Sequence, residues 1–260
     1  MLPQGGVIAV VHLPPLPGSP GFSGAMESVL ERAGGDARAY ASGGVGALIV
    51  ENYGDAPFYK DSLPPETVAA LALCAAAVRE AAALPFGVNA LRNDARAALG
   101  IAAAVGASFV RINVHAGVVV TDQGLIEGRA AETLRTRAGL CPKTAIVADV
   151  HVKHGKPLFA ESIVQAARDC VGRGGADAIV VSGVATGAET SLDDLRAVRE
   201  ALPDATIYAG SGVTEDSVAA VLKHANAVIV GTALKKNGVT TAPVDPARVE
   251  SFVKAARAAS

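Results

Sequence analysis

The chain has 260 residues, of which 50% are hydrophobic and 18% are charged, and its formal net charge is −2. This composition excludes a disordered chain, and the near-neutral charge without a Lys/Arg-rich block makes nucleic acid an unsuitable partner. No uninterrupted apolar run reaches the roughly 18 residues of a spanning helix, and the N-terminus lacks the features of a secretory signal, so we expect a cytoplasmic protein without a membrane span.

Eight short runs rich in β-branched residues follow one another along the chain. They are VIAVVHL (7–13), ALIVEN (47–52), FGVNAL (86–91), SFVRINVH (108–115), TAIVADVHV (144–152), DAIVVSG (177–183), TIYAGSG (206–212) and AVIVGT (227–232). Segments of helical period follow each run, near 25–42, 65–83, 93–105, 128–139, 160–173, 190–201, 214–224 and 245–258.

Strands that alternate with helices indicate βαβ units and a parallel sheet. Eight such units in 260 residues predict a single (β/α)₈ barrel, or TIM barrel, over residues 1–260, with a doubly wound open sheet as the alternative. The connections at 53–64 and 116–127 are long, which is typical of functional loops.

Polar side chains collect where the predicted strands end, and the active sites of such barrels lie at this end. Side chains two positions apart share a strand face, so Asp149, His151 and Lys153 are expected to face the barrel mouth together with Val147. The same alternation in the other runs adds His12, Glu51, Asn89, Arg111, Asn113 and His115. The alternative is a plug of salt bridges that these groups form with one another.

The residue types suggest catalytic roles for Glu51, Asp149, Lys153, His151 and His12. Glu51 and Asp149 are candidates for acid–base catalysis, and Lys153 for stabilising negative charge or acting as a base. A Schiff-base lysine is a further option, although a lone lysine at a strand end is more often an ion-pair partner.

Two glycine-rich turns end the seventh and eighth runs. In many barrels these two loops hold phosphate between backbone N–H groups, and glycine lets the backbone approach the anion. We therefore expect phosphate binding at Gly210, Ser211, Gly212, Gly231 and Thr232. Ser182-Gly183 and Thr186-Gly187, after the sixth run, are candidates for a further edge of this site.

Several segments are distinctive enough to indicate a family. HLPPLPGSP (12–20), ENYGDAPF (51–58), RINVHAG (111–117), TDQGLIEGRAAETLRTR (121–137) and ADVHVKHGKPL (148–158) resemble the BtpA (SgcQ) family, and the likeness runs essentially end to end. The resemblance implies a barrel of the ribulose-phosphate-binding type. It also implies functional positions at His12, Glu51, Asn52, Asp55, Asn89, Arg92, Asn93, Asp94, Arg111, Asn113, His115, Asp122, Gln123, Asp149, Lys153 and His154.

Within that set we assign substrate binding to Asn89, Arg92, Arg111, Asn113, His115 and Asp122. Asp122 lies in the long connection after the fourth run. This connection could be a lid that reaches the substrate or a plain polar turn.

The leading functional hypothesis is an enzyme that acts on a small phosphorylated, sugar-like metabolite as a lyase, an isomerase or a glycosidic-bond-cleaving enzyme. The second is an epimerase-like enzyme with a divalent metal as cofactor, held by His12, Glu51, Asp149 and His151, although no dense His/Asp cluster occurs in the sequence. The third is a non-catalytic assembly factor that senses a phosphometabolite, because the family takes its name from a factor in photosystem I biogenesis. A homo-oligomer is left open.

Overall fold

A computed structural model describes residues 2–3, 5–159, 161–183 and 191–259. Eight parallel strands close into a barrel in this part of the chain, which confirms the predicted architecture. In barrel order they are β1 (Val7–His12), β2 (Ala47–Glu51), β3 (Phe86–Asn89), β4 (Phe109–Ile112), β7 (Ala145–Val150), β9 (Ala178–Ser182), β10 (Ile207–Gly210) and β11 (Ala227–Val230), which pairs back to β1.

One helix follows each barrel strand in sequence, and the helices cover the outside of the barrel. They are α1 (Met26–Ser42), α2 (Pro65–Ala81), α3 (Ala95–Val105), α4 (Ala130–Leu140), α5 (Ile163–Arg168), α6 (Leu192–Ala201), α7 (Val218–Val221) and α8 (Pro246–Arg257). A π-helical turn, Asp169–Arg173, continues α5. None of these described helices is both long and apolar enough to cross a membrane.

The two faces of the strands bury two different apolar layers. Val7, Ala9 and Val11 of β1 pack in the large cluster that includes the helices, whereas Ile8 and Val10 belong to the smaller cluster inside the barrel. This alternation is the period of two expected of a strand that is buried on both sides. It fixes which side chains can reach the barrel mouth.

The structure adds a small second sheet that the sequence did not predict. The connection after β4 forms a hairpin of β5 (Val118–Thr121) and β6 (Gly124–Glu127), and β8 (Gly155–Pro157) pairs with β5 on its other side. Thr121 and Gly124 face each other, so the hairpin turns at Asp122 and Gln123, and Gly124 takes a positive φ of 93°. The predicted loop is therefore a structured flap.

A buried ion pair joins the first helix to the segment after the last barrel strand. Lys235 is completely buried, and its Nζ lies 2.7 Å from Oδ2 of Asp36 in α1. The backbone N–H of Val244 donates to Oδ1 of the same carboxylate at 3.0 Å. These contacts tie the C-terminal part of the chain to its beginning, which secures ring closure on the helical side.

Candidate functional site at the barrel mouth

Five neighbouring strands bring predicted polar and charged residues together at their C-terminal ends. Glu51 pairs in register with His12 of β1 and with Asn89 of β3. Arg111 of β4 donates from Nε and Nη2 to the two carboxylate oxygens of Asp149 of β7, at 2.8 and 3.0 Å. Arg111 Nη1 also lies 3.9 Å from Oε2 of Glu51, so the guanidinium stands between two carboxylates.

Two asparagines hold these carboxylates in place. Asn89 is buried and donates from Nδ2 to Oε2 of Glu51 at 2.7 Å. Asn113 donates to Oδ2 of Asp149 at 2.9 Å, while its own Oδ1 is buried without a hydrogen-bond partner. Because Asp149 is held on both oxygens, it is a poor acid–base group and a good anchor for Arg111. The predicted plug is thus present in part.

His12 lies beside this cluster as a neutral imidazole. Its Nε2 is 3.8 Å from Oε1 of Glu51, and its ring packs at 4.8 Å, centroid to centroid, from that of Tyr53. Burial, together with the positive charges of Lys235, Lys153 and Arg111, lowers the pKa of His12 to about 3. His12 Nδ1 is buried and has no hydrogen-bond partner among the described residues.

Lys153 stands apart from the ion-pair network. Its backbone carbonyl accepts from Arg92 Nη2 at 2.6 Å, but its amine forms no hydrogen bond or ion pair with the rest of the described chain. Loss of water around the amine lowers its pKa to about 8, with a further lowering by Arg111 that Glu51 and Asp149 oppose. The expected ion pair of a strand-end lysine is therefore not formed.

Two cavities meet at these side chains. The first, of about 240 Å³, is lined by Glu51, Tyr53, Ala56, Phe58, Leu91, Arg92, Arg111, Asn113, Asp122, Gln123, Asp149, Lys153 and His154. The second, of about 230 Å³, is lined by His12 and by the turns after β10 and β11, including Ser211, Gly212, Gly231 and Thr232. Both cavities share Glu51, Tyr53, Arg111 and Lys153 as walls.

The second cavity contains most of the predicted phosphate-binding residues. Ser211 and Gly212 both have left-handed backbones, with φ of 69° and 68°. A serine in this conformation is uncommon and costs energy, which marks the turn as a candidate functional feature. The hydroxyl of Thr232 lies 2.9 Å from that of Thr240. Gly210 does not line this cavity, and Thr186 and Gly187 lie outside the described residues.

Gly231 has a structural reason to be glycine besides the anion hypothesis. A Cβ atom at this position would overlap the His12 ring and would come within 3.1 Å of Nε2. Glycine therefore leaves the space that the imidazole fills.

Residues of the family-like motifs connect the loops around the mouth. Asn52 Nδ2 donates to Oδ2 of Asp55 at 2.9 Å, and Asp55 Oδ1 accepts from the Leu16 N–H at 2.7 Å. Asn93 exchanges two hydrogen bonds with the backbone of Val114, at 2.8 and 2.9 Å. These side chains position the loops and do not line the two cavities.

Two histidines predicted to face the mouth do not reach these cavities. His115 is buried and its Nε2 lies 2.8 Å from the Gly174 carbonyl oxygen, beyond the π-helical turn. β7 ends at Val150, and His151 takes a φ of 51°, which breaks the alternation that would have turned it inward. His151 instead lines a small cavity beneath the flap, with Val119 and Cys170.

The four-residue metal set is consequently not assembled. His151 is elsewhere, and Asp149 is occupied by Arg111 and Asn113. Within residues 2–3, 5–159, 161–183 and 191–259, no three His, Cys, Asp or Glu side chains come together in an arrangement that could hold a metal ion.

The flap and a tyrosine complete the first cavity. Asp122 and Gln123, at the tip of the β5–β6 hairpin, line it and hydrogen-bond to each other, so the lid interpretation of this loop fits their position. Tyr53 lines both cavities but was not among the residues we predicted. Its place two residues after Glu51, in the same motif, was the available signal.

Comparison with known proteins agrees with this architecture. The chain is 46% identical over 249 residues to the photosystem I biogenesis protein BtpA of Synechocystis, covering 96% of this chain and 87% of that protein. It is 32% identical to the putative sgc region protein SgcQ of Escherichia coli, covering 95% and 92%.

Solved structures show the same fold. Thiamine phosphate pyrophosphorylase from Pyrococcus furiosus superposes with a TM-score of 0.62 at 15% identity, over 99% of this chain and 98% of that one. N-(5'-phosphoribosyl)anthranilate isomerase from Pyrococcus furiosus gives 0.58 at 14%, over 97% and 98%. The sequence profile of the BtpA family matches residues 4–258, and the chain belongs to this family.

Proposed function

We propose that the protein is an enzyme that acts on a small phosphorylated, sugar-like metabolite at the barrel mouth, as a lyase, an isomerase or a glycosidic-bond-cleaving enzyme. The observation that carries this proposal is the shared wall of the two cavities. A ligand whose phosphate lies against Ser211, Gly212 and Thr232 would extend past Lys153 and Glu51 into the first cavity.

Unsatisfied polar atoms support a ligand in both cavities. His12 Nδ1 and Asn113 Oδ1 are buried without hydrogen-bond partners in the part of the chain that the structure describes, and their residues line different cavities. Such groups normally find a partner, because leaving one unpaired costs about 1–3 kcal/mol. A polar metabolite that spans the mouth would supply these partners.

The roles follow from which groups are already engaged. Arg111 and Asp149 saturate each other and set the local charge, while Glu51 keeps Oε1 toward His12 and serves as the acid–base group. Lys153 contributes a charge or a nucleophile. Fixed groups of this kind act strongly on developing charge because they need no reorganisation.

The phosphate site is tested by placing a negative charge on it. Ser211→Asp and Ser211→Asn have similar size, and Asn and Asp tolerate the left-handed backbone best after glycine. We expect Ser211→Asp to weaken the binding of ribose 5-phosphate and dihydroxyacetone phosphate, measured by calorimetry, about 10²-fold, which corresponds to about 2.7 kcal/mol. Ser211→Asn should lose much less. Equal losses in the two variants would place the phosphate elsewhere.

A non-catalytic biogenesis factor is the second candidate, and the name of the 46% identical Synechocystis relative favours it. Following turnover of a panel of phosphosugars, alongside their binding, separates the two. Binding of a phosphosugar that the protein never converts would favour the second candidate.

A further inference from the structure

Lys153 lies in the wall that separates the cavity of the charged cluster from the cavity of the glycine turns. It lines both cavities together with Glu51, Tyr53 and Arg111. A group in this position contacts the part of a bound molecule that lies next to its phosphate. In a small sugar phosphate, that part carries the carbonyl or hydroxyl groups on which the chemistry occurs.

The carboxylates nearest to the Lys153 amine already have other hydrogen-bond partners. Asp149 is taken up by Arg111 and Asn113, and Glu51 accepts from Asn89. No described acidic side chain comes within ion-pair distance of Lys153 Nζ, although Glu51 and Asp149 lie near enough to influence its charge. An amine without a fixed partner keeps its lone pair available once it loses its proton.

Two guanidinium groups surround the same amine. Arg111 and Arg92 both line the first cavity, and Arg92 also binds the Lys153 carbonyl oxygen at 2.6 Å. Desolvation and a neighbouring cation are the two ways in which proteins turn a lysine into a nucleophile at neutral pH. Here both act, and the pKa of Lys153 falls to about 8.

The backbone around Lys153 presents the side chain from a tight turn. His151 and His154 have left-handed φ values of 51° and 55°, on either side of it. The strand ends at Val150, so this turn brings Lys153 back to the mouth after His151 has left it. The turn fixes the position from which the Lys153 side chain extends, and a covalent step requires such positioning.

We propose that Lys153 is a Schiff-base residue, which forms an imine with the carbonyl carbon of a phosphorylated aldehyde or ketone. This inference rests on the proposed function and names its substrate class. After the ammonium gives up one proton, the Nζ lone pair forms a C–N bond to the carbonyl carbon and the nitrogen gives up a second proton; the carbonyl oxygen takes up both. Loss of that oxygen as water leaves the protonated C=N bond, so ammonium and carbonyl give iminium and one water.

Glu51 is the group that moves the protons in this step. It borders both cavities beside Lys153, and its Oε1 carries no hydrogen bond from Asn89. It can take a proton from the attacking nitrogen and deliver it to the departing oxygen. The iminium then withdraws electrons from the neighbouring carbon, which serves lyase and isomerase chemistry alike.

Reductive trapping tests the proposal without knowledge of the natural substrate. The folded protein is incubated with glycolaldehyde phosphate and cyanoborohydride at pH 7.5, and labelling of each lysine is followed by peptide mass spectrometry. Lys153 should be labelled at least tenfold faster than the exposed Lys156 and Lys254, because far more of it is unprotonated. Lys153→Arg should remove the fast label, and Lys156→Met should leave it unchanged.

Labelling of Lys153 at the rate of Lys156 would overturn the proposal. In that case, inhibition or calorimetry with inorganic phosphate reports separately on the phosphate site, so the proposed function can stand while the imine fails. Conversely, rapid labelling by unphosphorylated glycolaldehyde, unaffected by inorganic phosphate, would support the imine and count against the phosphate site.

Discussion

Arg111 and Asp149 face each other on adjacent barrel strands as a two-point ion pair, with Nε to Oδ1 at 2.8 Å and Nη2 to Oδ2 at 3.0 Å. Both side chains are buried. The pair engages both oxygens of Asp149, in the cavity that Lys153 also lines.

Arg111→Met should destabilise the protein by about 3–5 kcal/mol, because it leaves a buried carboxylate without its counter-ion. The free energy of unfolding in urea at pH 7 provides the measurement. Arg196→Met is the matched control, since its ion pair with Asp193 is exposed and should be worth at most about 1 kcal/mol. Similar small losses in both variants would show that Asp149 does not depend on Arg111.

Gly87→Ala should destabilise the barrel by about 1–3 kcal/mol through overpacking. A Cβ at this position would overlap the ring of Phe109, which is completely buried in the interior layer and cannot move aside. Gly100→Ala, in α3 with no atom within 4 Å of its added Cβ, should instead stabilise by about 0.5–1 kcal/mol. Thermal melting of the two variants provides the comparison, and a loss of equal size in both would contradict it.

His12 should make the protein less stable in acid. Its pKa is 6.5 in an ordinary setting and about 3 in the folded protein, so between these values only the unfolded chain binds a proton there. Stability therefore rises with pH across this window and falls on acidification, by on the order of 2 kcal/mol between pH 7.5 and pH 5.

Urea unfolding at the two pH values measures this effect. His12→Gln should lose correspondingly less stability than the wild type on going to pH 5, whatever its stability at pH 7.5. His224→Gln, at a partly exposed position just beyond α7, should lose as much as the wild type. An unchanged pH dependence in His12→Gln would mean that the folded protein protonates His12 readily.

The trapping rate at Lys153 should level off above about pH 8, well below the range near pH 10 in which a lysine amine in a model peptide loses its proton. The reason is that the free-amine fraction saturates above the pKa. The described charged or titratable groups that share a cavity with Lys153 are His12, Glu51, Tyr53, Arg92, Arg111, Asp122, Asp149 and His154. Loss of water around the amine and the positive charge of Arg111 are the two largest causes of the lowered pKa of Lys153. A Lys153 rate that keeps rising in parallel with Lys156 would contradict the assigned environment.

The sequence predicts the barrel well because its evidence is local. Each strand carries its own β-branched run, and the period of two assigns Glu51, Arg111 and Asp149 to the mouth correctly. The alternation of side chains no longer predicts orientation beyond the end of β7 at Val150. At His151 the backbone adopts a left-handed conformation, so the alternation of strand faces cannot be extended past that residue. Lys153 nevertheless lines the cavity at the mouth.

Other features depend on partners that are distant in sequence. Lys235 and Asp36 are 199 residues apart, and nothing near either one indicates that the pair is buried. The hydrogen-bond partner of His115, the Gly174 carbonyl, lies 59 residues further along the chain. The β5–β6 hairpin could have been predicted from the sequence. The apolar run Val118–Thr121 is typical of a strand, and the residues that follow it fit a two-residue turn before Gly124.

The residues that line the two cavities come from different parts of the sequence. His12, Glu51 and Arg111 belong to the first four barrel strands, whereas Ser211, Gly212 and Thr232 follow the last two. A fragment that ends just before α5 would carry the charged cluster, including Asp149 and Lys153, without the glycine turns, and the remaining fragment would carry the turns without the cluster. Recognition of a phosphorylated ligand would then arise only when the ring closes between β11 and β1, so ligand binding by co-expressed halves would report directly on their reassembly.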